Sequence, residues 1–140
     1  MKAPVALLAT SLLLAACGEA PSVDAPPPAA APAKAEMTSL ERGRILYKRC
    51  RACHTLGEGE RHKVGPNLWG IYGATAGARE DFNYSKAMTA SGVVWDDDTL
   101  SAYIEKPSTY MPGNRMSFAG LRKPEDRAAV LEYLKAETGG

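Results

Sequence analysis

The chain has 140 residues, 45% of them apolar and 24% charged, with a formal net charge of +1. That length gives one domain as a prior, and the charge leaves no basic excess to neutralise nucleic-acid phosphates. Its cysteines are Cys17, which stands alone, and the close pair Cys50 and Cys53; this odd set excludes a disulfide framework and points to two separate chemistries.

In chain order, residues 1–16 place Lys2 ahead of an apolar run that includes Leu7, Leu8, Leu12, Leu13 and Leu14. The run is shorter than the ~20 residues that span a bilayer and fits a secretory signal. It ends Leu14-Ala15-Ala16-Cys17-Gly18, which resembles a bacterial lipobox. That resemblance implies removal of residues 1–16 and a lipid on Cys17; the competing reading is an ordinary signal peptide with Cys17 incidental. Residues 17–37 form the expected tether, broken by Pro21, Pro26, Pro27, Pro28 and Pro32. A Pro/Ala-rich stretch favours extended conformations at about 3.1 Å per residue, a reach of up to roughly 60 Å here. It has too few large apolar residues to fold by itself.

The folding unit is expected over residues 38–140. Thr38-Ser39-Leu40-Glu41 is a capping-box pattern and predicts a first helix to about Arg51, with Leu40, Gly43 and Tyr47 along one stripe. Residues 56–83 carry many glycines and Pro66 without a sustained period. They read as long ordered loops, which make sense in a compact domain if they wrap a cofactor. Tyr84 to Ser91 predicts a short helix stopped by Gly92. Asp96, Asp97 and Asp98 favour the start of another, whose Leu100, Tyr103 and Ile104 share a face before Pro107 ends it. The last helix begins near Pro124, with Glu125 and Asp126 in its first turn, Val130, Tyr133 and Leu134 as its stripe, and Gly139 closing it. No run alternates convincingly at period two, so the fold class is all-α.

Cys50-Arg51-Ala52-Cys53-His54 is the attachment signal for a c-type haem. Thiols at i and i+3 near a helix end point the same way and can add across the two vinyl groups of one porphyrin. His54 follows at once, so its imidazole can meet the iron from the same side. Zinc wants four ligands, and there is neither a second cysteine pair nor a histidine beyond His62. A thioredoxin-like dithiol belongs near a βαβ pattern that is missing here. A thioether suits the iron's sixth position. Met88, Met111 and Met116 are the candidates after the motif, and periodicity does not choose among them.

Over nearly all of residues 38–140 the chain resembles class I cytochrome c, especially its bacterial, cytochrome c2-like branch. The resemblance is carried by Cys50–His54, by His62-Lys63-Val64-Gly65-Pro66-Asn67-Leu68, by Val94-Trp95 before acidic residues, and by the Tyr110–Gly120 segment with Met111-Pro112-Gly113-Asn114-Arg115-Met116. It implies a small cytochrome c fold, about four to five helices with long loops around one covalent haem c. It implies His54 and Met116 as axial iron ligands, with Met111 a wall residue. The Pro66 carbonyl would accept from the His54 ring, and such contacts tune a ligand. Tyr103 would lie near the Met116 sulfur, and Tyr84 and Trp95 would donate to a haem propionate. Asn114 is expected at the cofactor, where many members have threonine. Gly43 and Tyr47 would pack against the last helix near Tyr133, and His62 would be structural. Ala74 stands where many members have an arginine beside the propionates.

A filled sixth position implies an electron carrier, not an enzyme. The expected partners are a bc1-type complex and a terminal oxidase, met by a monomer on the periplasmic side of a bacterial membrane. Arg49, Lys63, Arg115, Arg122 and Lys123 match or adjoin basic positions that dock partners in the family. The alternatives are a haem subunit of one dehydrogenase, and a peroxidase-like or ligand-sensing protein whose sixth position opens.

Overall fold

The computed structural model describes residues 36–139. The expected signal peptide, Cys17 and all but the last two residues of the expected tether lie outside them.

Local side chains decide where helices begin. Glu41 N–H donates to the Thr38 hydroxyl at 3.2 Å and Thr38 N–H donates to the Glu41 carboxylate at 3.0 Å, closing the capping box of α1, Ser39–Tyr47. Ser85 caps α2, Lys86–Thr89, through its hydroxyl on Met88 N–H at 3.1 Å. Asp96 and Thr99 cap α3, Asp97–Glu105, reciprocally. Proline opens both α4, Pro107–Tyr110, and α5, Pro124–Glu137, where its fixed φ and missing N–H are harmless. The described residues contain no strand, only an isolated antiparallel bridge between Thr75 and Val94.

Helices α1 and α5 cross where Gly43 has no side chain. A Cβ there would overlap the Ala129 carbonyl oxygen and stand 2.7 Å from Tyr133 Cβ. Beside the crossing, the Tyr47 and Tyr133 rings lie 5.5 Å apart, and Arg42 Nε donates to Asp126 at 2.7 Å. Helix α3 packs on another side of α5, where Arg127 Nε donates to the Ser101 hydroxyl at 3.0 Å. The core gathers Tyr47, Trp95, Leu100, Tyr103, Met111, Leu121 and the buried residues of α5.

The structure corrects several expectations. Helix α1 ends at Tyr47 rather than Arg51, because the bonds Lys48 N–H to Ile45, Arg49 N–H to Leu46 and Cys50 N–H to Tyr47 tighten the chain into i→i−3 turns. Leu40 is exposed, leaving Gly43 and Tyr47 to carry the buried stripe. Helix α2 is shorter than Tyr84–Ser91 because Ser85 is its cap. Pro107 begins a helix of its own after α3 stops at Glu105. In α5 Tyr133 is half-buried and Ala129 and Leu131 are buried, because neighbours press on two sides of that helix.

Candidate functional site

The turns after α1, the loops of residues 54–85 and 111–121, and the inner faces of α2, α3 and α5 surround a cavity of about 550 Å³. This size is typical of small-molecule and cofactor sites. Most of the wall is apolar, with Leu68, Ile71, Leu100, Ile104 and Leu134 among its lining.

Cys50, Cys53 and His54 all face this space. Their turn is held by Cys53 N–H and His54 N–H, both donating to the Cys50 carbonyl at 2.9 and 3.0 Å. The Tyr47 hydroxyl donates to the His54 carbonyl at 3.1 Å and ties the turn to α1. Burial pushes the Cys50 thiol up, against the pull of the Arg49 guanidinium. Burial pushes the His54 imidazole down, so its neutral form prevails.

His54 Nδ1 lies 2.7 Å from the Pro66 carbonyl oxygen. A carbonyl can only accept, so the ring proton sits on Nδ1 and Nε2 keeps a free lone pair. Gly65 makes room for the ring: a Cβ there would stand 2.8 Å from both ring nitrogens. The Pro66 carbonyl is itself fixed from behind. Asn67 N–H donates to His62 Nδ1 at 2.8 Å, and His62 Nε2 lies 3.1 Å from the Asp81 carboxylate. The buried Asn67 amide donates to the Thr55 hydroxyl and the Gly57 carbonyl, both at 2.9 Å. His62 is thus structural, as expected, but Asn67 was not anticipated as a brace; a lone asparagine after Gly-Pro in the sequence signals a turn and nothing more.

Tyr84, Trp95 and Tyr103 line the cavity, as do Met88 and Met116. Met111 is buried in the core and is not part of the cavity lining. Asn114, expected at the cofactor, is not part of the lining either. Its amide donates to the Pro107 and Met111 carbonyls at 2.9 and 2.7 Å, and its oxygen accepts from Met116 N–H at 2.8 Å. These bonds make the Asn114 side chain a brace of the loop that carries Met116. The Tyr103 hydroxyl approaches the same oxygen at 3.5 Å. Of the expected docking residues, Arg49 and Arg115 line the cavity. Lys63 turns to the Arg51 carbonyl at 2.8 Å, and Arg122 and Lys123 are exposed just before α5.

Two thiols on one turn, a neutral imidazole with a free Nε2 and thioethers lining the same apolar cavity form a donor set that suits a covalently held haem. The comparisons agree. The family model for cytochrome c matches residues 40–137. The chain is 40% identical over 125 residues to a cytochrome c homolog of Rickettsia bellii, covering 89% of this chain and 72% of that one. It is 46% identical over 99 residues to cytochrome c of Stellaria longipes, covering 70% and 92%, and 47% identical over 96 residues to cytochrome c2 of Afifella marina, covering 66% and 77%. The chain belongs to the cytochrome c family. Proteins of this family hold one haem c through the Cys-x-x-Cys-His motif and act as electron carriers rather than enzymes.

Proposed function

We propose that this chain carries single electrons between respiratory membrane complexes on the periplasmic side of a bacterial membrane. The observation that carries the reading is the 2.7 Å contact from His54 Nδ1 to the Pro66 carbonyl, next to two thiols on the same cavity wall. When bound, haem supplies a one-electron Fe(III)/Fe(II) couple: one electron is accepted from a quinol-oxidising bc1-type complex and one is passed to a terminal oxidase.

The chain's own residues make that couple usable. Cys50 and Cys53 anchor the porphyrin through thioether bonds, so it stays attached in both oxidation states. His54 Nε2 would hold the iron from one side, and the Pro66 carbonyl fixes the ring's rotation and would raise its basicity. Met116 would supply the second iron ligand through its thioether. Both Met116 and Met88 reach the cavity, but Met116 sits in a loop pinned by Asn114, whereas Met88 lies on the short helix α2. With imidazole and thioether both bound, the iron would offer no position to a substrate. The apolar wall excludes water and keeps solvent reorganisation small. Tyr84 and Trp95 offer O–H and N–H donors to the haem carboxylates.

Arg49, Lys63, Arg115, Arg122 and Lys123 are the proposed docking cations for acidic partner surfaces. Reaction with a partner then slows as salt rises; a second-order rate indifferent to ionic strength refutes this part. Residues 1–16 are proposed to be removed and Cys17 to carry the lipid anchor, which the mass of the mature N-terminus tests. The central test is a spectrum of haem-loaded Met116→Ala beside wild type. The expected result is loss of the sulfur-to-iron charge-transfer band in the variant alone. Retention of that band in Met116→Ala moves the ligand to Met88.

A further inference from the structure

The cavity wall is unbalanced in charge. Arg49, Arg79 and Arg115 line it, and no aspartate or glutamate does. An apolar site with cations and no anions is built for a ligand that brings its own negative charge. Haem does so through two carboxylates, which lie on the porphyrin edge opposite its vinyl groups. Thioether bonds at Cys50 and Cys53 therefore set those carboxylates away from the attachment turn.

The arginines differ in what already occupies them. Arg49 adjoins Cys50 and stacks 5.2 Å above the Phe118 ring, at the attachment edge. Arg115 is exposed and donates to the Asn83 carbonyl at 3.0 Å. Arg79 is half-buried, and only its Nη2 is engaged among the described residues, on the Trp69 carbonyl. Its remaining N–H groups have no partner there. The loop that carries it is laid beside Trp95 by backbone bonds: Gly73 N–H to Trp95, Trp95 N–H to Ala74 and Ala76 N–H to Val93, at 2.8, 2.9 and 2.7 Å. Trp95 is 6% exposed, and it lines the same cavity as Tyr84. The charge of Arg79 is felt at Tyr84, whose hydroxyl burial pushes up and Arg79 draws back down. The nearby acid, Asp81, is exposed and turned to His62.

We infer that Arg79 is the cation that binds the cofactor's carboxylates, acting with the Trp95 and Tyr84 donors. Ala74 lines the same wall and supplies no charge; the guanidinium comes from further along the same loop. A charge-assisted guanidinium–carboxylate pair in an apolar wall is strong and geometrically specific. It also sets the redox equilibrium, because a positive charge near the porphyrin disfavours the extra positive charge of the oxidised iron. This inference rests on the haem reading above.

The test is potentiometry of haem-loaded wild type, Arg79→Gln and Arg79→Lys at one neutral pH and salt. Glutamine keeps a donor for the Trp69 carbonyl and loses the charge. Arg79→Gln is expected to shift the equilibrium threefold to tenfold toward the oxidised form, a fall in midpoint of up to ~59 mV for one electron. Arg79→Lys stays within twofold of wild type. A purely loop-bracing Arg79 predicts lost stability in Arg79→Gln with an unmoved potential, and that result overturns the inference. If Arg79→Gln does not accumulate, Arg79→Ala combined with Ala74→Arg returns a guanidinium to the same wall. A fall in Arg79→Ala alone that Ala74→Arg reverses supports the inference, and a wild-type potential in Arg79→Ala alone overturns it. Every sample is checked for haem that survives denaturation and for the sulfur-to-iron band. Their absence from wild type sinks the haem reading itself, whereas their presence with an unmoved potential sinks only the role of Arg79.

Discussion

Gly65→Ala puts the ligand-positioning argument at risk most directly. The new methyl overlaps His54 Cε1 and stands 2.8 Å from Nδ1 and Nε2. Ordinary contacts rest near 3.5–4.0 Å, so the shortfall is about 0.7 Å or more. That exceeds the ~0.5 Å within which a working site holds its groups. Two responses are open. Residues 64–66 recede, which stretches the 2.8 Å bond from Gly65 N–H to the Cys53 carbonyl and draws the Pro66 carbonyl off Nδ1. Otherwise the ring tilts and the Nε2 lone pair is re-aimed within the cavity. A strained or lost hydrogen bond costs about 0.5–1.5 kcal/mol and overpacking about 1–3 kcal/mol. The expected loss is therefore about 3 kcal/mol, which lowers the melting temperature by roughly 12–24 °C in a domain of this size. Denaturant titration of the haem-loaded variant should show a lower midpoint with an unchanged slope, and the sulfur-to-iron band should weaken alongside. A variant with covalent haem and a wild-type midpoint, band and potential refutes the idea that the Gly65 gap and the Pro66 carbonyl set the ring.

Asn114→Ala removes two donors and one acceptor that pin the Met116 loop; a loss of about 2–4 kcal/mol is expected at the usual value per bond, with a weaker sulfur-to-iron band on oxidation. Gly43→Ala raises the helix propensity of α1 by about 1 kcal/mol but forces α1 from α5. The clash with Ala129 should dominate, for a net loss of about 2 kcal/mol in denaturant titration; a gain in stability shows that the crossing is looser than described. The hydrogen bond to His62 holds the Asp81 carboxyl below its ordinary value of 3.8. A lowered carboxylate stabilises the fold above 3.8, and that contribution is lost as pH falls through the folded value. Asp81→Asn should thus lower the neutral-pH denaturation midpoint and flatten its decline below pH 3.8; parallel pH profiles for variant and wild type contradict this.

Sequence reading reached as far as local chemistry extends. The starts of α1, α3 and α5 were legible because Thr38 with Glu41, Asp96 with its acidic neighbours, and Pro124 with Glu125 act within one turn. The end of α1 was not, because nothing between Tyr47 and Arg51 breaks a helix; the turn that presents Cys50, Cys53 and His54 tightens the backbone instead. The attachment motif was legible because its residues are contiguous. Pro66, Tyr84 and Trp95 came only through family resemblance, since loops bring them together without a period, whereas Tyr103 already stood on the periodic face of α3. The bonds from Asn114 to the Pro107 and Met111 carbonyls carry no sequence signal, because they depend on how the loop closes on itself. Arg79 lies in a glycine-rich stretch with no pattern, so its place on the cavity wall became visible only once residues 73–76 were seen paired with 93–95.

The space at the middle of the fold touches α1's turn, α2, α3 and α5 alike, so the porphyrin that fills it serves as an oversized side chain grafted at residues 50 and 53. Being grafted, it remains beside the unravelled polypeptide at a fixed and high local concentration rather than diffusing away. Recovery from denaturant is then a unimolecular event, and adding free porphyrin to the refolding mixture should leave its rate untouched.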